Sequence, residues 1–262
     1  MPHAEPVQAL RGVDLDIAAG EYVAVVGANG SGKTTLARHL NALLLPTAGD
    51  VWIDGRNTHD PAAIRAIRAD VQMVFQSPAD QIVATVVQED VAFGPENLGV
   101  PVAELPLRVR EALERVSMWP ARHRPPHMLS AGQQQRVAVA GALAMRPRCI
   151  VFDEAAAMLD PAGRRDLLQI IDALHAAGLT VITITHAMEE AARAGRVVVM
   201  HQGRIVFDGS PTELFTHPDL SSWSLLPPPV VQLAARLRAH IPDLPPALTI
   251  DELVAALQGA VR

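Results

Sequence analysis

The apolar residues of this chain fall into short continuous runs that alternate with stretches of helical period. Residues 22–26, Tyr-Val-Ala-Val-Val, form an unbroken apolar run, the pattern of a strand buried on both faces. Leu36, Leu40, Leu43 and Leu44 follow at helical spacing and predict one apolar helix face. Ahead of the run, Leu10, Val13, Leu15 and Ile17 alternate loosely and predict a strand over residues 10–17. Residues 51–53 with Asp54-Gly55 predict a strand and a tight turn. Residues 71–75 predict another strand, ending at Gln76-Ser77-Pro78.

From about residue 77 to 147 the pattern is mainly helical. Leu105, Val109, Leu113 and Val116 keep one period, and the stretch reads as a helical insertion. Residues 149–152 predict a strand ending in Asp153-Glu154. Leu167, Leu168, Ile171 and Leu174 share one side of the next helix, and residues 180–185 predict a strand ending at His186. Residues 197–200 and 205–207 flank Gln202-Gly203 as a hairpin. Ser210-Pro211-Thr212-Glu213 is a capping box with proline at the first helical position. Strands alternating with helices predict an α/β core with a mostly parallel sheet. Ligands of such sheets collect at the carboxyl ends of strands, where Gly27, Gln76, Asp153 and His186 all stand.

Beyond residue 220 the texture changes. Pro227-Pro228-Pro229 precedes an amphipathic helix with Val230, Leu233, Ala234 and Leu237 on one face. Thr249-Ile250-Asp251-Glu252 caps a second helix carrying Leu253 and Leu257. This small C-terminal helical extension packs either on its own domain or on a second chain.

Composition narrows the function. With 262 residues, 49% of them hydrophobic, the chain can bury one sizeable core. A net charge of −6 gives no support for nucleic-acid binding. The single cysteine, Cys149, excludes an internal disulfide and stands in an apolar run as a core residue. No apolar run approaches the roughly 18 residues of a membrane span. Residues 1–6 lack a basic or apolar leader pattern, so a soluble, cytoplasmic chain is expected unless a partner holds it at a membrane.

The most specific chemistry lies in Gly27-Ala28-Asn29-Gly30-Ser31-Gly32-Lys33-Thr34-Thr35. It matches GxxxxGK[ST] between a predicted strand and a predicted helix. Gly30 and Gly32 let backbone N–H groups converge at a helix N-terminus, where an anion is favoured. Lys33 supplies a point charge for the β- and γ-phosphates, and Thr34 a hydroxyl for Mg²⁺. The segment predicts nucleotide binding. Asp153-Glu154 ends an apolar strand; beside a phosphate loop, Asp153 would orient Mg²⁺ and Glu154 would polarise the attacking water. In Leu129-Ser130-Ala131-Gly132-Gln133, Ser130 caps a helix with Gln133 at the reciprocal position, making a second helix N-terminus able to meet a phosphate. Taken singly, Gln76 can be a turn residue, Asp160-Pro161 an N-cap and first turn, and His186 a buried structural histidine.

In this order and spacing, the phosphate loop, Gln76, residues 129–133, Asp153-Glu154, Asp160 and His186 resemble an ABC-type ATPase over residues 7–220. Residues 81–98, 141–147 and 157–161 resemble the energy-coupling-factor (ECF) transporter ATPases, and the end of the tail, residues 250–254, resembles that branch's dimerisation extension. The resemblance implies a P-loop NTPase fold: an ABC ATPase domain over 1–220, a helical subdomain over about 77–147 and an extension over 221–262. It implies ATP and Mg²⁺ as ligands, with two ATPase subunits, identical or different, paired head to tail. Each ATP then lies between one chain's loop and the other's Ser130, Ala131, Gly132 and Gln133. Gln76 senses Mg²⁺ and water, His186 contacts the γ-phosphate and Asp160 communicates across the dimer. The implied setting is the cytoplasmic face of the cell membrane. There the chain would be peripheral to an integral membrane transport subunit, docked near residues 76–98, and to a substrate-capturing membrane protein. Uptake of a vitamin or of cobalt or nickel follows. Glu89 and Asp90 stand in the docking region, where that family's membrane subunit offers arginines. Asp90→Lys is therefore expected to weaken assembly and spare ATP binding.

The chain departs from the pattern at several positions. Ala131 stands where the family has glycine. No Phe, Trp or Tyr precedes Tyr22 to stack on adenine, and Tyr22 itself reads as core. Ala156 and Gly195 replace Thr and Asp. The competing readings are an ATPase of another ABC transporter class and a non-transport ABC ATPase. The wording of residues 81–98 and the tail weigh against the first, and a single cassette without a basic patch against the second.

Overall fold

A computed structural model describes residues 8–260, so the leader reading of residues 1–6 lies outside the described residues. The chain runs β1 (Tyr22–Val26), α1 (Lys33–Leu40), β2 (Trp52–Ile53), β3 (Arg56–Asn57), α2 (Ile64–Asp70), β4 (Val71–Val74), α3 (Val87–Asn97), α4 (Leu105–Arg115), α5 (Ala131–Ala144), β5 (Cys149–Asp153) and α6 (Pro161–Ala176). It continues through β6 (Thr180–Thr185), α7 (Met188–Ala191), β7 (Arg196–His201), β8 (Arg204–Gly209), α8 (Pro211–Thr216), α9 (Pro229–Arg238) and α10 (Ile250–Ala260). Contacts divide the described chain into two compact units. One holds residues 8–17, 22–35 and 183–260, the other 18–21 and 36–182.

In the first unit β1 is buried at every position, as an unbroken apolar run requires. It pairs in parallel with β7, Val23 opposite Arg196 through Val26 opposite Val199. β7 returns antiparallel as β8 through Gln202 (φ 49°) and Gly203 (φ 80°), the two left-handed residues of a two-residue hairpin turn. The capping box at Ser210 forms as predicted: Glu213 N–H donates to Ser210 Oγ and Ser210 N–H to Glu213 Oε2.

The strand expected over residues 10–17 does not form. Gly12 takes φ 75°, which breaks the extended run, and Arg11 N–H donates to Gly203 O at 2.7 Å without a continuing ladder. The apolar positions Val13, Leu15 and Ile17 are only half-buried. The tail has its own small core of Ala234, Leu244, Ala247 and Leu253, with Val230, Leu237 and Leu257 packed against it. Leu233, expected on that face, is exposed, and Val231 is buried instead.

In the second unit β4 and β5 pair in parallel, Val71 opposite Cys149 through Val74 opposite Phe152. The β1–β7 and β4–β5 ladders are parallel and the β7–β8 ladder is antiparallel, in keeping with the mostly parallel α/β sheet that the alternation predicts. β2 follows the predicted strand and the tight turn falls at Asp54 and Gly55, both at positive φ; β3, which was not predicted, closes a short hairpin. α4 buries Leu105, Val109, Ala112 and Leu113, and α6 buries Leu167, Ile171 and Leu174, following the periods read from the chain. Burial raises the Cys149 thiol to about 12, so it is a protonated core group.

α1 is shorter than expected. It stops at Leu40, and the N–H groups of Leu43 and Leu44 both donate to Arg38 O, with Ala42 at φ 55°. This terminal cap satisfies the last carbonyls but turns Leu43 and Leu44 to the exterior, off the helix face. No helix among the described residues is long and apolar enough to cross a membrane.

Candidate active site

The phosphate-loop segment joins β1 to α1 in the first unit. Gly27 and Gly32 are required by space as well as by torsion, and Gly30 by torsion alone. A Cβ at Gly27 would lie 2.1 Å from Met200 O, and one at Gly32 would lie 2.7 Å from Ala9 O. Gly30 and Gly32 take φ 77° and 106°, a region that L side chains avoid. Lys33 is buried, and its Nζ donates to Gly27 O at 2.8 Å and Ala28 O at 3.0 Å, folding the ammonium back over the loop. Ser31 is also buried, and its Oγ has no hydrogen-bond partner among the described residues. A buried hydroxyl in that condition is costly, and a phosphate oxygen would satisfy it. Asn29 is exposed, and Thr34 and Thr35 are half-buried in the first turn of α1.

The loop is braced from outside. Gly203 N–H donates to Ser31 O at 2.9 Å, and Arg11 N–H donates to Gly203 O at 2.7 Å. A Cβ at Gly203 would lie 2.7 Å from Ala9 O, the same carbonyl that faces Gly32. Also in this unit, His186 follows β6 and is exposed, and the chain turns there as Ala187 N–H donates to Thr185 Oγ1 at 3.0 Å.

The second unit gathers the other motif residues. Asp153, the last residue of β5, is buried. Glu154 follows at φ 50°, a left-handed conformation that costs a non-glycine residue about 1 kcal/mol. The bond from Ala157 N–H to Glu154 O at 3.0 Å helps hold it there.

Ser130 is the N-cap of α5. Gln133 N–H donates to Ser130 Oγ at 3.3 Å and Ser130 N–H to Gln133 Oε1 at 3.1 Å, so the predicted capping box is formed. Ala131 is the first residue of the helix and is exposed. Asp160 caps α6, its Oδ1 accepting from Gly163 N–H at 2.6 Å. The N-termini of α5 and α6 meet closely, since a Cβ at Gly132 would stand 3.4 Å from Gly163 Cα. Within this unit the fold therefore brings together the Ser130–Gln133 segment and Asp160.

Gln76 is exposed just past β4. What holds it was not recognised from the sequence. Phe75 N–H donates to Gln81 Oε1 at 2.9 Å, Gln81 Nε2 donates to Met73 O at 3.3 Å, and Gln135 Nε2 donates to Phe75 O at 3.1 Å. Gln135 is wholly buried, and its Oε1 has no partner among the described residues, an arrangement that costs about 1–3 kcal/mol. A signal was available: Gln135 shares one phase of α5 with buried Val139 and Ala142, a polar residue where the helical period calls for an apolar one.

Asp90 has a local role that the sequence did not show. Its Oδ1 accepts from Val83 N–H at 2.7 Å and Ala84 N–H at 3.0 Å. This half-buried carboxylate latches its own loop, and its neighbour Glu89 is exposed. Tyr22 is buried in β1, as a core residue should be.

A family profile described as "ABC transporter" matches residues 10–157. The chain is 57% identical over 258 residues to the energy-coupling factor transporter ATP-binding protein EcfA1 of Symbiobacterium thermophilum, covering 97% of this chain and 90% of that one. Among solved structures it is similar to cbiO1 of Clostridium perfringens, described as part of the ABC transporter complex cbiONQ. That match has a TM-score of 0.77 and 31% identity, and covers 92% of each chain. It is also similar to an ATP-binding cassette solved as a dimer in a post-hydrolysis state with ADP and Pi, with a TM-score of 0.71 and 30% identity over 80% of this chain and 94% of that one. The chain belongs to the ABC transporter ATP-binding family, within its energy-coupling factor branch of ATPases.

Proposed function

We propose that this chain is the ATP-hydrolysing subunit of an ECF-type importer and that it works in a pair of cassettes. The observation that carries the reading is the glycine cradle between β1 and α1, with Lys33 folded over it and a buried, unsatisfied Ser31 hydroxyl inside it. Gly27 to Thr35 bind the phosphates of ATP through backbone N–H groups and Lys33. Glu154 polarises the attacking water, and His186 contacts the γ-phosphate. Ser130, Ala131, Gly132 and Gln133 close over the ATP of the partner subunit, and Asp160 passes the change between subunits.

The residues fit Mg²⁺ by donor chemistry. Thr34, Gln76 and Asp153 offer a hydroxyl, an amide oxygen and a carboxylate, all hard oxygen donors. The described residues contain no cluster of three or more His, Cys, Asp or Glu suited to a metal. Mg²⁺ needs none, since it binds through few protein ligands, water and substrate phosphates. When bound it neutralises developing charge on the phosphates.

An integral membrane subunit docks near residues 76–98 at the cytoplasmic face, and a substrate-capturing membrane protein completes the importer of a vitamin or a transition-metal ion. The extension over 221–262 serves dimerisation. Outside its own small core, Leu233, Ile250 and Val254 are exposed, apolar side chains available for a subunit to bury.

The test is ATP turnover of the purified chain with Mg²⁺ beside Glu154→Gln. Turnover lost in the variant, with ATP binding kept, supports the assignment. Equal turnover in both refutes it.

A further inference from the structure

Beyond β4 the backbone leaves its ladder: Val74 is the last residue paired with β5. The next peptide groups must find other partners. At Phe75 both are supplied by side-chain amides, the N–H by Gln81 and the carbonyl by Gln135. Gln76 follows directly. Gln135 lies on α5, five residues past the N-cap Ser130, and α5 packs against both β4 and the turn at Pro78–Asp80. A single side chain therefore links the capped end of α5 to the peptide that precedes Gln76. The bond fixes the amide orientation, because only Nε2 can donate to a carbonyl. Oε1 is left buried without a partner among the described residues, so an apolar side chain of equal size would suit the packing better. Packing alone gives no reason for a glutamine here, whereas the link to Phe75 does.

We propose that Gln135 is a positioning residue for ATP hydrolysis. It holds the Phe75 peptide in register with the α5 N-terminus, so that Gln76 and the Ser130–Gln133 segment move as one body. The inference rests on the assignment of Gln76 and of that segment made above.

Four forms of the full chain decide it: Gln135→Leu, Gln135→Met, Gln76→Ala, and Gln76→Ala combined with Gln135→Leu. The first readout is hydrogen exchange of residues 74–77 in the nucleotide-free chain, which does not depend on activity. Gln135→Leu should keep its melting temperature while exchange at these residues speeds up by about tenfold. Turnover should fall by about tenfold, with the Mg²⁺ half-saturation point raised, and the double variant should be no more than about threefold worse than either single one. Wild-type exchange and turnover in Gln135→Leu would overturn the proposal, as would multiplicative losses in the double variant. Unfolding of both the Leu and the Met variants would overturn it too, since the residue would then be structural. Gln76→Ala with normal turnover removes the assignment of Gln76 instead, and the exchange readout still reports whether the link exists.

Discussion

The two capping boxes of this chain make one experiment unusually well controlled. Ser130 caps α5 and Ser210 caps α8 with the same reciprocal pair of bonds, and Ser210 Oγ also donates to Glu213 Oε2 at 2.8 Å. Each serine accepts from the N–H three residues on at 3.3 Å, and each glutamine or glutamate reaches back to the serine N–H, at 3.1 Å and 2.8 Å. Replacing either serine by alanine removes a cap worth about 1 kcal/mol. In a chain of this size that lowers Tm by about 2–4 °C. Stability alone cannot separate the two variants. Ser130 is also assigned to the partner's ATP, where a hydrogen bond to a charged group is worth about 1.5–3 kcal/mol. Ser130→Ala should therefore lose turnover by roughly ten- to hundredfold, while Ser210→Ala stays within about twofold of wild type. Thermal melts and a steady-state phosphate-release assay on both variants suffice. If both lose turnover alike, or if Ser130→Ala keeps it while its Tm falls, the α5 N-terminus acts only as a helix end and the assignment is wrong.

Other outcomes follow from the same geometry. Ala131→Gly should keep or raise turnover, since on the proposed assignment the exposed methyl would crowd the helix end that meets the partner's phosphate, at a stability cost below about 1 kcal/mol; a clear fall in turnover would show that alanine is adapted here. Cys149 should resist thiol reagents while the chain is folded. Its ordinary value of 9.0 is raised to about 12, so its contribution is fully present below pH 9.0 and lost as pH rises toward 12; labelling against pH, native and in urea, checks both statements. Glu89→Lys should weaken co-purification with a membrane subunit while leaving ATP binding intact. Asp90→Lys unlatches Val83 and Ala84 as well, so it cannot test docking alone; wild-type co-purification of Glu89→Lys would remove the acidic docking idea.

Much of the layout could be read from the chain because the governing constraints are local. A strand buried on both faces reads as a near-continuous apolar run, so β1 and β5 stand out, and the β-branched Thr/Val/Ile run of β6 marks a third. Capping boxes are short and stereotyped, so Ser130 and Ser210 were identifiable. The misses came from interactions set by tertiary context. Gly12 at φ 75° ended the expected strand over residues 10–17, and Ala42 at φ 55° ended α1 before Leu43 and Leu44. Nothing in a period of 3.6 announces either torsion. The latch of Asp90 and the paired amides of Gln81 and Gln135 involve side chains meeting backbone at a distance along the chain, which spacing does not encode.

The carbonyl of Ala9 has a consequence for building chimaeric cassettes. It faces two glycines at once, one in the phosphate loop and one in the β7–β8 turn, with a Cβ at either placed 2.7 Å away. Adding or removing one residue between Ala9 and Gly12, where the chain bends, would displace that carbonyl by as much as about 3.8 Å, the Cα spacing of one residue. Swaps that change length there would jam the loop or release it, whatever sequence they carry. A splice after Gly12 that keeps this glycine (φ 75°) leaves the register of residues 9–11 untouched.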